Sequence, residues 1–413
     1  MLDGIAGGLQ PWWHYVGAYH EDRRLYHSAE PVYRWHKANE EFFVNRQPIA
    51  TVGVVWSQQN TDFFGRDDAE LLVELPWRGI TQALIRARIP YLPVHVDHLD
   101  RDASQFSVLV LPNLGAMSDA QVASVRRFVE RGGGLLATGE STLFNQWGDP
   151  RADFALADLF GAHVADPQSA SDNARRRRSA NDTAHSYLRL IPERRAVVDG
   201  PHVAGEPAVT GQRHAVLRGF EETDILPFGG VLEPLQVDVG AQVLATFVPA
   251  FPIYPPETAW MREPKTDIPG LILNSTAGGG RVAFLPADLD RRFARDNLPD
   301  HGDLLANLIR WAARDDIPLA VEGPGLIDCH LCRQPGRLIL HLVNLTSAGT
   351  WRQPVHELIP VGPLRVQLKL PTQVHDKHAR LLVTGKTVAA LRTAGRCRIE
   401  IKSILDHEVI VIG

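Results

Sequence analysis

Cysteine is scarce: the 413 residues hold three, at positions 329, 332 and 397. An odd count excludes a fully paired disulfide framework, and Cys329 and Cys332 have no second pair with which to complete a four-ligand zinc site. On an extended strand these two point to opposite faces, so separate structural thiols are expected, with no metal and no cofactor. Long apolar runs are also missing. Val52 to Trp56 and Val108 to Leu111 end far short of the ~18 residues that a membrane span needs, and Met1 to Gly8 carries no basic stretch of the kind that opens an export signal. A cytoplasmic protein with no membrane partner is the expectation. Charge of one sign is lacking too: 43 Lys and Arg against 48 Asp and Glu leave a net charge of −5, with no global field to draw in nucleic acid. No phosphate-cradling loop is present, because Gly132 to Gly134 follows a helical pattern and precedes a strand, the reverse of a nucleotide fingerprint.

What is there is length and pattern. A chain of this size exceeds one hydrophobic core and suits two or three. Aromatic and polar residues crowd the first 45 positions, and a helix-like stretch from Pro31 to Asn45 sets Val32, Trp35, Phe42 and Phe43 on roughly one face. Strands and helices then alternate. Strands are expected at 49–56, 91–96, 108–112 and 135–138, with helices at 77–87 and at 118–131, where Ser118 is the cap and Gly132 to Gly134 the stop. Such a succession implies a mostly parallel sheet covered on both faces. The stretch from Pro167 to Pro207 is polar, holds the basic run Arg175 to Arg178, and reads as a surface excursion. Strands at 243–248, 271–274 and 281–285 and a helix at 302–313 close this region. From about Pro318 the period becomes two, with short alternating strands at 338–343, 364–370, 379–383, 398–401 and 408–412, the pattern of an all-β sandwich.

Several of these segments resemble a known family. Leu135-Leu-Ala-Thr-Gly-Glu-Ser-Thr-Leu143, Ala152-Asp-Phe-Ala-Leu-Ala-Asp-Leu-Phe-Gly161 and Gly280-Arg-Val-Ala-Phe-Leu-Pro-Ala-Asp288 resemble the trimerisation domain of family 42 β-galactosidases and related glycoside hydrolases. Arg337-Leu-Ile-Leu-His-Leu-Val-Asn-Leu-Thr346 and Ile404-Leu-Asp-His-Glu-Val-Ile-Val-Ile412 resemble the β-domain that ends them. The resemblance implies a remnant of the last strand and helix of a (β/α)8 barrel over 1–47. It further implies a flavodoxin-like, class I glutamine amidotransferase-like α/β domain over 48–316 and a β-sandwich over 317–413. Association into a dimer or trimer and a carbohydrate ligand follow from it as expectations. The carboxyl pair of a glycosidase, about 5–9.5 Å apart, comes from barrel strands that would precede Met1.

Three places in the chain remain as candidate chemistry. An amidotransferase places its nucleophilic cysteine on the turn after a strand, which here is Thr138-Gly-Glu-Ser141, so the position falls on Glu140 or Ser141 and no thiol is available. Glu140 is then either a residual catalytic group or a cap or interface contact. Asp288, in Asp288-Leu-Asp290-Arg291-Arg292 at the end of a strand, is part of a vestigial site, of an inter-subunit contact to the barrel mouth, or of a surface salt-bridge cluster. Trp12, Trp13, His14 and Tyr15 either form a wall of a sugar pocket, since aromatic faces stack on sugar C–H surfaces, or pack against a neighbouring domain. The overall expectation is a non-catalytic accessory and oligomerisation portion of a glycoside-hydrolase-like protein, with a residual hydrolase or a carbohydrate-binding module as the alternatives. His341 is expected to be a satisfied core histidine, and Asp406-His-Glu408 to shape the turn before the last strand.

Overall fold

A computed structural model describes residues 1–14, 23–165, 186–191, 213–230, 232–264, 266–346, 357–371, 374, 376–393 and 395–413. Tyr15 and the run Arg175 to Arg178 lie outside the described residues. The chain divides into two compact units, one of residues 51–87 and 91–316, the other of residues 1–50, 88–90 and 317–413. In chain order the main elements begin with α1 (Leu2–Ala6), α2 (Arg24–Ala38) and β1 (Gln47–Pro48). The larger unit holds β2 (Val52–Trp56), α3 (Leu75–Arg86), β3 (Tyr91–His95), β4 (Val108–Leu111), α4 (Asp119–Glu130) and β5 (Gly134–Thr138). It continues with β6 (Tyr187–Leu190), β7 (Ile225–Pro227), β8 (Gln242–Val248), β9 (Pro269–Ser275), β10 (Arg281–Leu285), α5 (Leu289–Asp296) and α6 (Pro299–Ala312). The smaller unit resumes with β11 (Leu319–Glu322), β12 (Ile327–Gln334), β13 (Arg337–Asn344), β14 (Leu364–Lys369) and β15 (His378–Leu381). It ends with β16 (Thr387–Ala389), β17 (Leu391–Thr393), β18 (Arg396–Ile401) and β19 (His407–Ile412).

Apolar residues without alternation make strands that must be buried on both faces. β4 and β5 are of this kind, with every residue buried, and they sit centrally in a nine-stranded sheet of order β3-β2-β4-β5-β10-β9-β8-β6-β7. The first four neighbour pairs are parallel and the last four antiparallel, so the sheet is mixed rather than mostly parallel. One face buries Val55, Leu109, Leu111, Leu135 and Ala137 with Val122, Val125 and Val129 of α4. α6 packs on β4, β5 and β10, and α3 packs on α5 and α6. Ser118 caps α4 with its hydroxyl on the Gln121 N–H while the Gln121 side chain returns to the Ser118 N–H, a reciprocal capping box. Two expectations change here. The polar stretch from 167 to 207 is not all excursion, because β6 lies within it and pairs with β8. Helix α5 has no counterpart in the sequence reading, because a segment reading Leu-Asp-Arg-Arg-Phe-Ala-Arg-Asp looks like solvated surface.

In the smaller unit β14, β15 and β18 alternate and bury one face, whereas β13 and β19 are buried on both. A six-stranded antiparallel sheet runs β1-β12-β13-β19-β15-β16, and a four-stranded one runs β11-β14-β18-β17. Both contribute to one core, which includes Ile327, Leu340 and Ile410 from the first and Val366, Ile399 and Ile401 from the second. The other face of the six-stranded sheet carries a second core, in which Ile5, Phe42 and Phe43 meet Cys332, Ile339, Val409 and Val411, with Val32 and Trp35 packed against it. The aromatic stripe read from the sequence therefore has a partner. α2 begins at Arg24 and runs through Pro31, earlier than the stretch from Pro31 that the periodicity suggested. The strand expected from Ile49 begins at Val52, while the Ile49 N–H donates to Leu331 O and so belongs to the smaller unit. Among the described residues no helix is long and apolar enough to cross a membrane.

Candidate functional site

The carboxyl ends of parallel strands are where an α/β sheet gathers polar groups, because backbone N–H groups and following turns converge there. After β5 the chain turns through Gly139, at φ +56°, and Thr142, at φ +70°. A side chain at 139 would set its Cβ 2.4 Å from Asn113 Oδ1, so this turn requires glycine. The same Asn113 Oδ1 accepts from the Glu140 N–H at 2.8 Å, and Asn113 Nδ2 donates to Leu72 O. Thr138 Oγ1 accepts from the Asn113 N–H at 2.8 Å and donates to Asp290 Oδ2 at 2.5 Å. Asp290 Oδ1 accepts the Arg291 N–H, and Arg291 Nε donates to Asp288 Oδ2 at 2.6 Å. Ser141 Oγ lies 2.7 Å from Thr138 O and 3.1 Å from Leu111 O, and it accepts from the Leu114 N–H at 3.0 Å. One hydrogen-bonded network thus joins the turns that follow β4, β5 and β10.

The network is closed to solvent. Glu140, Ser141 and Asp290 are 0% exposed and Asp288 and Arg291 are 1% exposed. Asp288 and Arg291 form a buried ion pair, so the expectation of a surface salt-bridge cluster is corrected: these two charges are paired with each other inside the protein. Glu140 caps no helix, because a series of turns follows it. Glu140 and Asp288 stand after neighbouring strands of one sheet, which brings them to the same edge. Ser141 is committed to backbone partners. The three cysteines are free, buried and in the smaller unit, and none stands in the sequence of this turn. His301 is buried within α6, its Nε2 directed at Pro227 O at 2.6 Å, and burial holds its pKa below the usual histidine range. Asn113 and Thr138 were missed by sequence reasoning; their only signal is a polar residue directly after, or ending, an apolar strand.

Trp12, Trp13 and His14 lie in a segment without regular structure in the smaller unit. Trp12 is 75% exposed and stacks on His14 with centroids 5.2 Å apart and planes 11° from parallel, and Trp13 is 44% exposed. His341 is a satisfied core histidine, with Nε2 2.7 Å from Arg46 Nη1; burial first, then the nearby positive charges, hold it well below its ordinary pKa. Glu408 is buried and accepts from the Val383 and Thr384 N–H groups, tying β19 to the turn after β15. Cys329 and Cys332 face the two opposite cores of their sheet. Among the described residues, one group of potential metal ligands converges, formed by Asp3, Asp328 and His330. Burial opposes the charge on His330, yet the facing carboxylates of Asp3 and Asp328 hold it at about 9.

The fold has counterparts in known proteins. Residues 82–216 match the β-galactosidase trimerisation domain of glycoside hydrolase family 42. The chain is thus similar to the region of family 42 β-galactosidases that contains this domain. No curated relative matches it. Among solved structures, an α-L-fucosidase isoenzyme 2 from Paenibacillus thiaminolyticus aligns with 95% of this chain and 52% of its own, with a TM-score of 0.65 and 19% identity. A β-galactosidase from Bacillus circulans sp. alkalophilus aligns with 95% of this chain and 46% of its own, with a TM-score of 0.61 and 14% identity. The β-galactosidase from Rahnella sp. R3 gives 95% and 45%, with a TM-score of 0.57 and 14% identity. The likeness is one of fold, and the chain spans about half the length of these structures.

Proposed function

We propose that this chain is the accessory, assembly-forming portion of a glycoside-hydrolase-like protein in carbohydrate metabolism, and that it has no catalysis of its own. The observation that carries this reading is the turn after β5. At the position where an amidotransferase presents its thiol, this chain has a glutamate and a serine, both fully buried and neither open to a substrate. The strand order β3-β2-β4-β5-β10 is that of the flavodoxin-like doubly wound sheet, which supports a degenerate amidotransferase-like domain over 48–316. The shared core of the two antiparallel sheets supports a β-sandwich over 317–413, and 1–47 is read as the remnant of a barrel strand and helix. Three free buried thiols suit a reducing cytoplasm. The name of the matched family supports assembly into a homo-oligomer, a dimer or trimer. Purified protein is expected to turn over neither aryl β-galactosides nor glutamine. Turnover that is abolished by Glu140→Gln would overturn the reading.

The exposed, stacked Trp12 and His14 favour a second role for the same chain as a carbohydrate-binding module, with Trp13 and Tyr15 as further candidates. Calorimetric titration with galactose and lactose is expected to give binding that is lost in Trp12→Ala and Trp13→Ala. Equal heats for wild type and variants would remove the aromatic segment from the site.

A further inference from the structure

We propose that Asp3, Asp328 and His330 form a binding site for a divalent first-row transition-metal ion, Mn²⁺ or Zn²⁺, in the smaller unit. Asp328 and His330 stand two residues apart on β12, so their side chains leave the same face of the strand, the face that also carries Cys332 toward the core under α1. Asp3 comes from the first turn of α1, whose Ile5 is buried in that core and anchors the helix over the strand. The ligating atoms of the three residues all lie within 4.8 Å of one another. Ligands at ~2.0–2.2 Å from one ion are at most about 4.4 Å apart, so small side-chain rotations bring all three onto a common centre.

The polar surroundings fit a site rather than a chance meeting of charges. Asp328 is 7% exposed, and its Oδ1 accepts from the Cys329 N–H at 2.8 Å, which fixes the carboxylate and turns Oδ2 toward the cluster. His330 Nε2 is 3.1 Å from Asp328 Oδ2 and 3.8 Å from Asp3 Oδ1. One N–H has a single proton to donate, so the imidazole serves Asp328 and leaves Asp3 beyond hydrogen-bond range of that nitrogen. A divalent cation would take the place of the imidazole proton and engage both carboxylates and the imidazole at once. Asp3 is exposed, which opens the site to entry and leaves room for water ligands. Two carboxylates and one imidazole suit Mn²⁺ or Zn²⁺. A thiolate zinc site is not available, since Cys329 points into the opposite core.

The test uses the full chain, stripped with chelator and dialysed, titrated with MnCl₂ and with ZnSO₄ by calorimetry, with Mn²⁺ uptake read independently by electron paramagnetic resonance. One ion per chain is expected, with affinity falling about tenfold or more in Asp3→Asn and in His330→Gln. Asp3 is at the surface, so Asp3→Asn leaves the fold intact, and the metal-dependent rise in unfolding temperature seen for wild type is expected to vanish in it. No binding by wild type, or the same affinity and the same thermal shift in wild type and both variants, would overturn the site.

Discussion

Arg88 demonstrates how much a single side chain carries in this molecule. It stands at φ +57°, and its guanidinium donates to the carbonyls of Val321, Gly323, Pro324 and Gly325 at 2.7–3.0 Å. A planar fork with five donors can satisfy several diverging carbonyls at once, and an ammonium cannot. Arg88→Met is expected to destabilise the smaller unit by ~3 kcal/mol or more and Arg88→Lys by roughly half of that, read as shifts in the guanidinium unfolding midpoint. The buried Asp288 and Arg291 pair makes a parallel case in the larger unit. Asp288→Ala removes the buried carboxylate to which Arg291 Nε donates and is expected to cost ~3–5 kcal/mol, whereas an apolar replacement of both partners costs much less. If Asp288 acted on a substrate instead, its loss would show in turnover before it showed in stability. His163 sets a pH dependence of definite sign. Its hydrogen bond to Asp153 at 2.6 Å, with further help from Asp238, raises its pKa above the usual value. The contribution is therefore fully present below about pH 6.5 and is lost as pH rises through the raised value. The side chain is 43% exposed, so solvent screening keeps the effect under ~1 kcal/mol. The difference between wild type and His163→Asn in urea midpoint, followed from pH 6 upward, isolates it from His301 and His341, whose lowered pKa values act in the opposite sense.

Helix α3 meets α5 at Gly79, where a Cβ would stand 1.8 Å from the carbonyl oxygen of Asp290. By helix propensity alone Gly79→Ala would stabilise by ~1 kcal/mol. The approach of the α5 backbone reverses the sign, and because Asp290 is tied to Thr138, yielding there disturbs the turn network. Gly79→Ala is expected to lower stability by more than ~3 kcal/mol in thermal unfolding. The same junction marks the limit of what the sequence discloses. The apolar runs of β4 and β5 and the Ser118 cap are local signals and were legible within a residue, and β2 within three. α5 was not, because Asp290, Arg291 and Arg292 spell a solvated helix, and only their partners in other elements make them buried. β6 was hidden inside a polar stretch, and Pro31 misled because a proline within a helix reads as its start. Of the candidate sites, Glu140 and Asp288 were legible as positions at a strand edge, but their burial was not. The cluster of Asp3 with Asp328 and His330 joins the two ends of the chain, and no local pattern encodes such a meeting.

At the scale of the whole molecule the decisive quantity is the mass in solution. Large apolar side chains on the larger unit face outward: Trp147 is 56% exposed, Ile253 50%, Tyr254 82% and Trp260 55%. Ile253, Tyr254 and Trp260 stand within residues 249–260, a stretch that holds Pro249, Pro252, Pro255 and Pro256, and the Arg262 guanidinium lies 3.5 Å over the Trp260 ring. A rigid loop loses little entropy on association, and exposed aromatics of this size are the residues that dominate interfaces. If the chain assembles as proposed, sedimentation equilibrium should return two or three times the 45.7 kDa of one chain. The double variant Tyr254→Ala with Trp260→Ala should shift the population toward monomer by about tenfold or more in dissociation constant, since each hot-spot aromatic contributes ~1–2 kcal/mol. The unfolding midpoint of the variant should remain that of dissociated wild type, because neither ring lies in a core. A wild type that stays monomeric at every concentration would remove assembly from the proposed role. An oligomer unmoved by the double variant would instead shift the interface away from this loop.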